Sequence, residues 1–203
     1  MGTEVEVELP AGQERVRLRR LDPERVSDVE LDELAALVNR CYRSTDSWTH
    51  EAQLIAGLRV TRERLRMYMD DRDVVLFVGE LGGRIVASVK TGAVRDTVIG
   101  PLPPERAPAG YIGLLSVEPV LQSRGLGRAL VLFAEQFCRQ QLGLHRMALD
   151  VLEPRADIIA WYTRLGYQLG TARRPARKFM MDKGEQLVTE HDFDFVLMEK
   201  ALA

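Results

Sequence analysis

The chain has 203 residues, of which 46% are hydrophobic and 29% charged, and its formal net charge is −2 at neutral pH. This length and composition are typical of one globular domain with a sizeable core, not of a disordered or membrane-spanning chain. The small net charge provides no overall field that would attract nucleic acid or an anionic membrane, and we expect neither as a partner.

Cysteine and histidine usage narrows the class of protein further. Cys41 and Cys138 fall at apolar positions of helical stretches, which favours buried reduced thiols over a disulfide. His50, His145 and His191 have no partners at ligand spacing, so we expect no metal. With no apolar run of 18 residues and no secretory leader, the expected location is the cytoplasm, as a monomer or homodimer.

The first third of the chain predicts an edge element and two helices. Residues 1–14 are expected to be a tail or a short edge strand, and a single domain is expected to occupy residues 15–203. Ser27 and Glu30 form a capping box at the start of a helix, in which apolar residues recur at helical spacing. A second helix is predicted to begin near Thr61.

The middle of the chain predicts a hairpin followed by a loop. Strands over residues 74–81 and 84–94 flank Gly82 and Gly83, a pair typical of a two-residue hairpin turn. Four prolines and two glycines lie within residues 100–110, so this segment predicts a long mobile loop.

The second half predicts alternating strands and helices. An apolar run over residues 111–117 predicts a strand, in which Gly113 would permit a bulge. The predicted elements that follow are a helix from residue 126, a strand at 149–151, a helix from 156 that ends at Gly166, a strand at 167–171, an irregular stretch at 173–190 and a last strand at 193–199.

Residues 122–130, Gln-Ser-Arg-Gly-Leu-Gly-Arg-Ala-Leu, form a glycine-rich turn between a predicted strand and a predicted helix. A helix start offers N–H groups without internal partners and the positive end of the macrodipole. Glycines let this backbone approach a ligand closely, which suits a phosphate or pyrophosphate. The turn lacks the Gly-Lys-Ser/Thr of a P-loop and the three-glycine dinucleotide fingerprint. The alternative is a tight helix entry that binds nothing.

Two motifs in this half resemble the GNAT family of N-acetyltransferases. Gln122, Gly125 and Gly127 match that family's Arg/Gln-x-x-Gly-x-Gly/Ala signature. The downstream segments that resemble its fifth strand, fourth helix and following strand are Leu149 to Val151, Ala156 to Tyr162 and Leu165 to Tyr167. The resemblance covers roughly residues 15–202 and is strongest over 110–170.

The resemblance implies a mixed α/β fold with about four helices flanking a central sheet. The sheet is expected to have six to seven mostly antiparallel strands and to splay between the fourth and fifth. The family often has asparagine where this chain has Arg155, which puts the turn before the fourth helix in doubt. Trp48-Thr49-x-Glu51 resembles a little-studied bacterial and fungal branch of the family.

Acetyl-CoA is the cofactor that the resemblance implies. The residues expected to hold its phosphates, mostly through backbone N–H groups, are Gln122, Ser123, Arg124, Gly125, Leu126, Gly127, Arg128 and Ala129. The backbone of Leu115, Ser116 and Val117 is expected to pair with the pantetheine arm and to polarise the thioester carbonyl.

The resemblance also implies two catalytic residues. Tyr162 is expected to protonate the departing thiolate, although it also fits an ordinary apolar helix stripe. Asp150 is expected to take a proton from the acceptor, although a hydrogen-bonded strand aspartate explains it equally well. The competing acids are Glu51, Glu80, Glu118 and Glu153.

The acceptor is expected to bind around Trp48 and Glu51 and beside the proline-rich loop. A core anchor is an equally good explanation of Trp48. The activity implied is direct transfer of an acetyl group from acetyl-CoA to a primary amine of a small molecule or peptide. The alternatives are a non-catalytic module that binds acyl-CoA and an enzyme that acetylates protein N-termini or lysines.

Overall fold

The computed structural model describes residues 4–8, 15–44, 51–182 and 186–202, which contain five α-helices and eleven strands. The helices are α1 (Asp28–Arg43), α2 (Arg62–Asp70), α3 (Leu126–Leu142), α4 (Ala156–Arg164) and α5 (Ala176–Asp182). The strands are β1 (Glu4–Glu8), β2 (Arg15–Arg20), β3 (Ile55–Ala56), β4 (Val74–Leu81), β5 (Arg84–Val94), β6 (Ala109–Tyr111), β7 (Gly113–Val117), β8 (Arg146–Leu152), β9 (Gln168–Pro175), β10 (Gln186–Leu187) and β11 (Asp194–Ala201).

Nine of these strands form one sheet, in the order β1-β2-β4-β5-β6-β8-β11-β9, with β7 also paired to β5. Among the strands of the described residues, β6 and β8 are the parallel pair and all other pairs are antiparallel. The mixed, mostly antiparallel fold is therefore confirmed. The sheet has more strands than the six to seven expected, because an edge strand is added and one predicted strand is split.

Helices cover both faces of the sheet. Along β4, Val75 and Phe77 join the core that includes residues of α3, whereas Leu76 and Val78 join the core that includes residues of α1 and α2. A strand covered on both faces is apolar at successive positions, as observed here. Within the parts of the chain described, none of the helices combines the length and apolar character needed to cross a bilayer.

Local signals fix most element boundaries. Ser27 Oγ accepts the N–H of Glu30 at 3.2 Å, but the Glu30 carboxylate binds Arg19 instead of completing the capping box. Thr61 caps α2 as predicted. Gly82 and Gly83 both have positive φ, at 58° and 78°, and close the predicted hairpin between β4 and β5.

The predicted strand at residues 111–117 is interrupted at Ile112. Before the break, Gly110 and Tyr111 of β6 pair with β8; after it, β7 pairs with β5. Within β7, Leu114 has left-handed backbone, with φ of 47°, and the register against β5 shifts between Gly113 and Ser116, next to the predicted position of the bulge. The two strands separate from this point, which confirms the expected splay.

The stretch predicted to be irregular contains regular structure. Strand β9 continues to Pro175, and α5 follows at once. Ala176 and Met180 of α5 are buried against Phe195 of β11, so tertiary packing stabilises a helix that local periodicity did not indicate. This is why five helices are present and not four.

The proline-rich loop spans residues 95–108 and folds back on itself, whereas Ala109 and Gly110, which were predicted to lie in the loop, belong to β6. It begins at Arg95, whose carbonyl oxygen accepts the N–H of Leu102 at 2.8 Å. Leu102 is 6% exposed and packs against Ala148 of β8. The loop is thereby attached to the sheet beside the splay.

The close approach at Gly110 generates a test of this arrangement. A Cβ there would lie 2.4 Å from Met147 Sδ and 2.8 Å from Cys138 Sγ. We expect Gly110→Ala to lower the free energy of unfolding by about 1–3 kcal/mol through overpacking. The matched control is Gly127→Ala, where the nearest neighbour of a Cβ is 3.7 Å away and stability should not fall. Urea denaturation would measure both, and equal stabilities of the two variants would contradict the packing described.

Candidate active site

A cavity of about 580 Å³ lies where β7 and β8 separate. One end reaches the glycine-rich turn before α3, at Gly125 and Gly127. The other end reaches Asp150 on β8 and the walls formed by β3, α5 and β11. This volume is in the range of small-molecule and cofactor sites.

The turn before α3 has the geometry of an anion site. Gly125 occupies the N-cap position with φ of 84°, a conformation that favours glycine. Among the described residues, no atom lies within 4 Å of the place where its Cβ would be. The first internal bond of the helix runs from Ala129 N to Gly125 O, so the N–H groups that precede it remain available to a ligand.

Side chains bind backbone carbonyl oxygens along the edge of β7 that faces the cavity. Glu118 N donates to Val86 O on the β5 side, and by strand alternation the peptide groups of Leu115 and Val117 face the cavity. Leu115 O accepts the Tyr42 hydroxyl at 3.1 Å. Val117 O accepts Gln122 Nε2 at 2.9 Å, so this glutamine ties the strand end to the turn.

Most of the predicted cofactor residues surround this cavity. Those that line it are Leu115, Ser116, Val117, Gln122, Ser123, Gly125, Gly127 and Arg128. Arg124, Leu126 and Ala129 do not line it. The Leu126 side chain is 1% exposed and packs in the core, so only its backbone faces the turn.

Tyr162 lies in the cavity wall on α4, with only 5% of its surface exposed. Its ring packs edge-on against Trp161 and Tyr167, which fixes its orientation. Among the described residues its hydroxyl makes no hydrogen bond. Burial raises the pKa of this phenol, so it remains protonated at neutral pH and can donate.

Asp150 lies in the same cavity, at the end opposite the glycine-rich turn. Its Oδ2 accepts the Val98 N–H at 2.9 Å and the Tyr111 hydroxyl at 2.8 Å. Its Oδ1 is buried and has no hydrogen-bond partner among the described residues. Burial raises the pKa of this carboxyl, although the two donors oppose that shift. A carboxylate in this state is a stronger base than one in water.

The end of the cavity opposite the glycine-rich turn, where the acceptor is predicted to bind, combines predicted and unpredicted residues. Glu51 lines the cavity, is 8% exposed and forms an ion pair with Arg43. Trp48 lies outside the described residues. Sequence reasoning missed Tyr42 and Tyr111, which also line this end and come from α1 and β6. No local motif marks either residue, because only tertiary packing brings them here.

Three competing acids do not line this cavity. Glu80 binds Arg17 and Arg19, and its pKa is lowered by the bond to Arg19. Glu118 pairs with Arg40 at 2.7 Å. Glu153 is exposed beyond the end of β8. Asp150 and Glu51 are therefore the two carboxylates of the described residues that face the cleft.

Arg155, the departure from the family pattern, keeps the turn before α4 intact. It occupies the N-cap position, where its Nε and Nη2 bind the two carboxylate oxygens of Asp157 at 2.9 and 2.8 Å. Arg155 as a whole is 7% exposed and also lines the cavity. A bidentate ion pair with the first helical turn thus replaces a side-chain cap.

Sequence comparison relates the chain to known proteins. The model of the acetyltransferase (GNAT) family matches residues 31–167, which is more than half of the chain. A mycothiol acetyltransferase from Saccharomonospora viridis is 31% identical over 122 residues, which are 59% of this chain and 38% of that protein. The chain therefore spans well under half of the length of this relative.

Solved structures share the fold at low sequence identity. The GNAT domain of S. lividans PAT has a TM-score of 0.65 at 18% identity, covering 98% of this chain and 97% of that one. The putative acetyltransferase yncA from Salmonella typhimurium, solved with its cofactor acetyl-CoA, has a TM-score of 0.61 at 18% identity, covering 93% and 94%.

The fold and the cleft are typical of transferases that use a CoA thioester. The chain belongs to the acetyltransferase (GNAT) family, and acetyl-CoA is the acetyl donor of that family. The residues present fit this group. The open cradle at Gly125 and the free helix-start N–H groups suit its pyrophosphate, and the exposed edge of β7 suits its pantetheine arm.

A charge placed at the turn tests where the phosphates bind. Gly127 has ordinary helical backbone and room for a Cβ, so Gly127→Asp should fold. Its carboxylate would stand against the phosphates, and we expect CoA affinity to fall about 10- to 1000-fold, measured by calorimetry. Gln136→Glu, exposed on the same helix, is the control and should bind normally. Unchanged affinity in the Gly127 variant would reassign the phosphate site.

Proposed function

We propose that this protein transfers the acetyl group of acetyl-CoA to a primary amine by direct attack within a ternary complex. The observation that carries the proposal is one cavity that joins the glycine-rich turn, Tyr162 and Asp150. The donor supplies a thioester whose acetyl carbon the amine attacks while the CoA sulfur leaves. The chain must then orient both substrates, take a proton from the amine and give one to the sulfur.

The edge of β7 is suited to hold the thioester. Tyr42 and Gln122 already use the carbonyl oxygens of Leu115 and Val117, so the N–H groups of these two residues are what the strand offers to the cavity. Backbone N–H groups aimed at a developing negative charge are the usual means of stabilising acyl transfer.

The cysteines support direct attack and not a covalent enzyme intermediate. Cys41 and Cys138 are buried and are not joined in a disulfide, as predicted. Cys41 Sγ lies 3.2 Å from Val117 O, and burial raises the pKa of its thiol to about 11. Cys138 contacts Thr91, and burial raises the pKa of its thiol too. A nucleophilic cysteine requires the opposite shift.

The walls of the acceptor end favour a small amine. Ile55 of β3, Met180 of α5 and Phe195 of β11 close it on one side, and the buried Glu51 lies on another. Carboxylates at this end suit an ammonium ion.

A non-catalytic acyl-CoA sensor would not require Tyr162 and Asp150 in one cleft. Acetylation of proteins, the cytoplasmic location and the choice between monomer and homodimer remain predictions.

Removal of one hydroxyl tests the proposed acid. Tyr162→Phe should keep CoA affinity and reduce the single-turnover rate about 10²- to 10⁴-fold, because only a proton donor is lost. The matched control is Tyr167→Phe, since this neighbouring ring packs against Tyr162 but does not line the cavity. Equal rates in the two variants would reduce Tyr162 to a packing residue.

The pH dependence of turnover tests the proposed base. Asp150 acts as a base only when it is deprotonated, and its pKa is raised by burial. The wild-type rate should therefore fall as the pH drops through that raised value. Asp150→Asn can still accept the bonds from Val98 and Tyr111, yet it cannot ionise, so turnover should be low and this acidic limb should disappear.

Glu153→Gln is the control for the pH experiment, because this exposed carboxylate lies three residues away and outside the cavity. It should retain the wild-type profile. A normal rate and an intact acidic limb in Asp150→Asn would transfer the role to Glu51 or to solvent.

A further inference from the structure

A group of cationic and aromatic side chains lies beside the acceptor end of the cleft. We call it the α2 basic cluster: Arg59, Arg64, Tyr68 and Lys90. Lys90 Nζ lies 4.3 Å from the centroid of the Tyr68 ring. Arg64 Cζ lies 5.2 Å from the same centroid, and Arg64 Nε is 3.3 Å from the Tyr68 hydroxyl.

The cluster is continuous with the cavity. Arg59 lines the cavity together with Tyr111 and Gly113. The Lys90 side chain passes Gly113 so closely that a Cβ there would lie 3.0 Å from Lys90 Cε and 3.7 Å from its Nζ. Glycine at this position therefore leaves space for the lysine beside the cavity wall, in which Gly113 itself lies. Lys90 Nζ is also 5.4 Å from the centroid of Tyr111, whose hydroxyl binds Asp150.

The phenol of Tyr68 reports the local field. Its burial opposes ionisation, yet its pKa is lowered overall, because the charges of Lys90, Arg64 and Arg59 and the bond from Arg64 favour the phenolate. Three cationic side chains therefore act on this ring. At the same cleft, Asp150 and Glu51 provide carboxylates. A ligand that carries both an anionic group and an ammonium group would complement the cationic cluster and these carboxylates.

We infer that the α2 basic cluster binds an oxyanion, a carboxylate or a phosphate, carried by the acceptor amine. This inference rests on the proposed function and specifies its substrate class as amines that bear a negatively charged group. The ammonium end would face Asp150 and Glu51, and the oxyanion would reach Lys90 and Arg59 across Tyr111. Guanidinium and ammonium groups are the side chains that bind such oxygens with charge-assisted hydrogen bonds.

Matched pairs of amines test the inference. The probes are γ-aminobutyrate against its amide, and phosphoethanolamine against ethanolamine, each assayed by release of free thiol from acetyl-CoA. We expect kcat/KM to favour the anionic member of at least one pair by about tenfold or more. The pair that shows the preference identifies the oxyanion.

Three variants test which side chains produce the preference for the anionic amine. Lys90→Met and Arg59→Met should reduce it at least several-fold, and Arg64→Gln, at an exposed position of α2, should weaken it with little effect on folding. The folded fraction cancels because both amines are compared within one variant, and intrinsic differences in amine reactivity cancel when that ratio is compared between variants and wild type. Arg66→Gln is the control, since Arg66 is on the same helix but binds Asp28 outside the cavity.

The outcomes separate the two proposals. Equal acetylation of charged and neutral members, or a preference that persists in all three variants, would overturn the oxyanion site while acetyl transfer to amines stands. Failure to acetylate all four amines, with CoA binding intact, would overturn the proposed transfer to small amines and the substrate class with it. A preference lost in Arg66→Gln as well would show a general charge effect and overturn the site.

Discussion

The separation of β7 from β8 is the constraint on which the rest of this structure depends. Parallel pairing with β8 ends after Tyr111, and the left-handed backbone at Leu114 turns β7 away while it remains paired to β5. A continuous sheet would have used the backbone groups of both strands in a ladder. The separation instead opens a cleft in the middle of the fold, where catalytic groups can be held on rigid elements.

An open strand edge inside a protein requires partners for its polar groups. Here Tyr42 of α1 and Gln122 of the glycine-rich turn bind carbonyl oxygens of β7. These contacts connect three parts of the proposed machinery: helix α1, the strand edge proposed to face the thioester and the turn proposed to face the phosphates. These two side chains bind backbone carbonyl oxygens of β7 and leave its N–H groups for a ligand. A ligand with carbonyl and phosphate oxygens needs such donors.

The sequence predicted the parts of the site that local backbone geometry dictates. The turn at Gly125 was recognisable because a strand, glycines and a helix start follow one another within a few residues. The acceptor end was not recognisable in the same way. Tyr111 and Arg59 lie more than fifty residues apart in the sequence, and only tertiary packing brings them to one cavity. Helix α5 was not predicted because it too depends on tertiary packing, in this case on contact with Phe195.

The surroundings of Asp150 show why position alone does not make a base. A carboxylate fully satisfied by donors would have a low pKa and little affinity for a proton, whereas one without donors would stay protonated. Val98 and Tyr111 bind one oxygen and hold the side chain in place, while the other oxygen is buried with no partner among the described residues. Such an oxygen carries an energetic cost that a ligand can remove. An ammonium group in the cleft would supply the missing donor, and in giving up that proton it would become the nucleophile that the reaction requires.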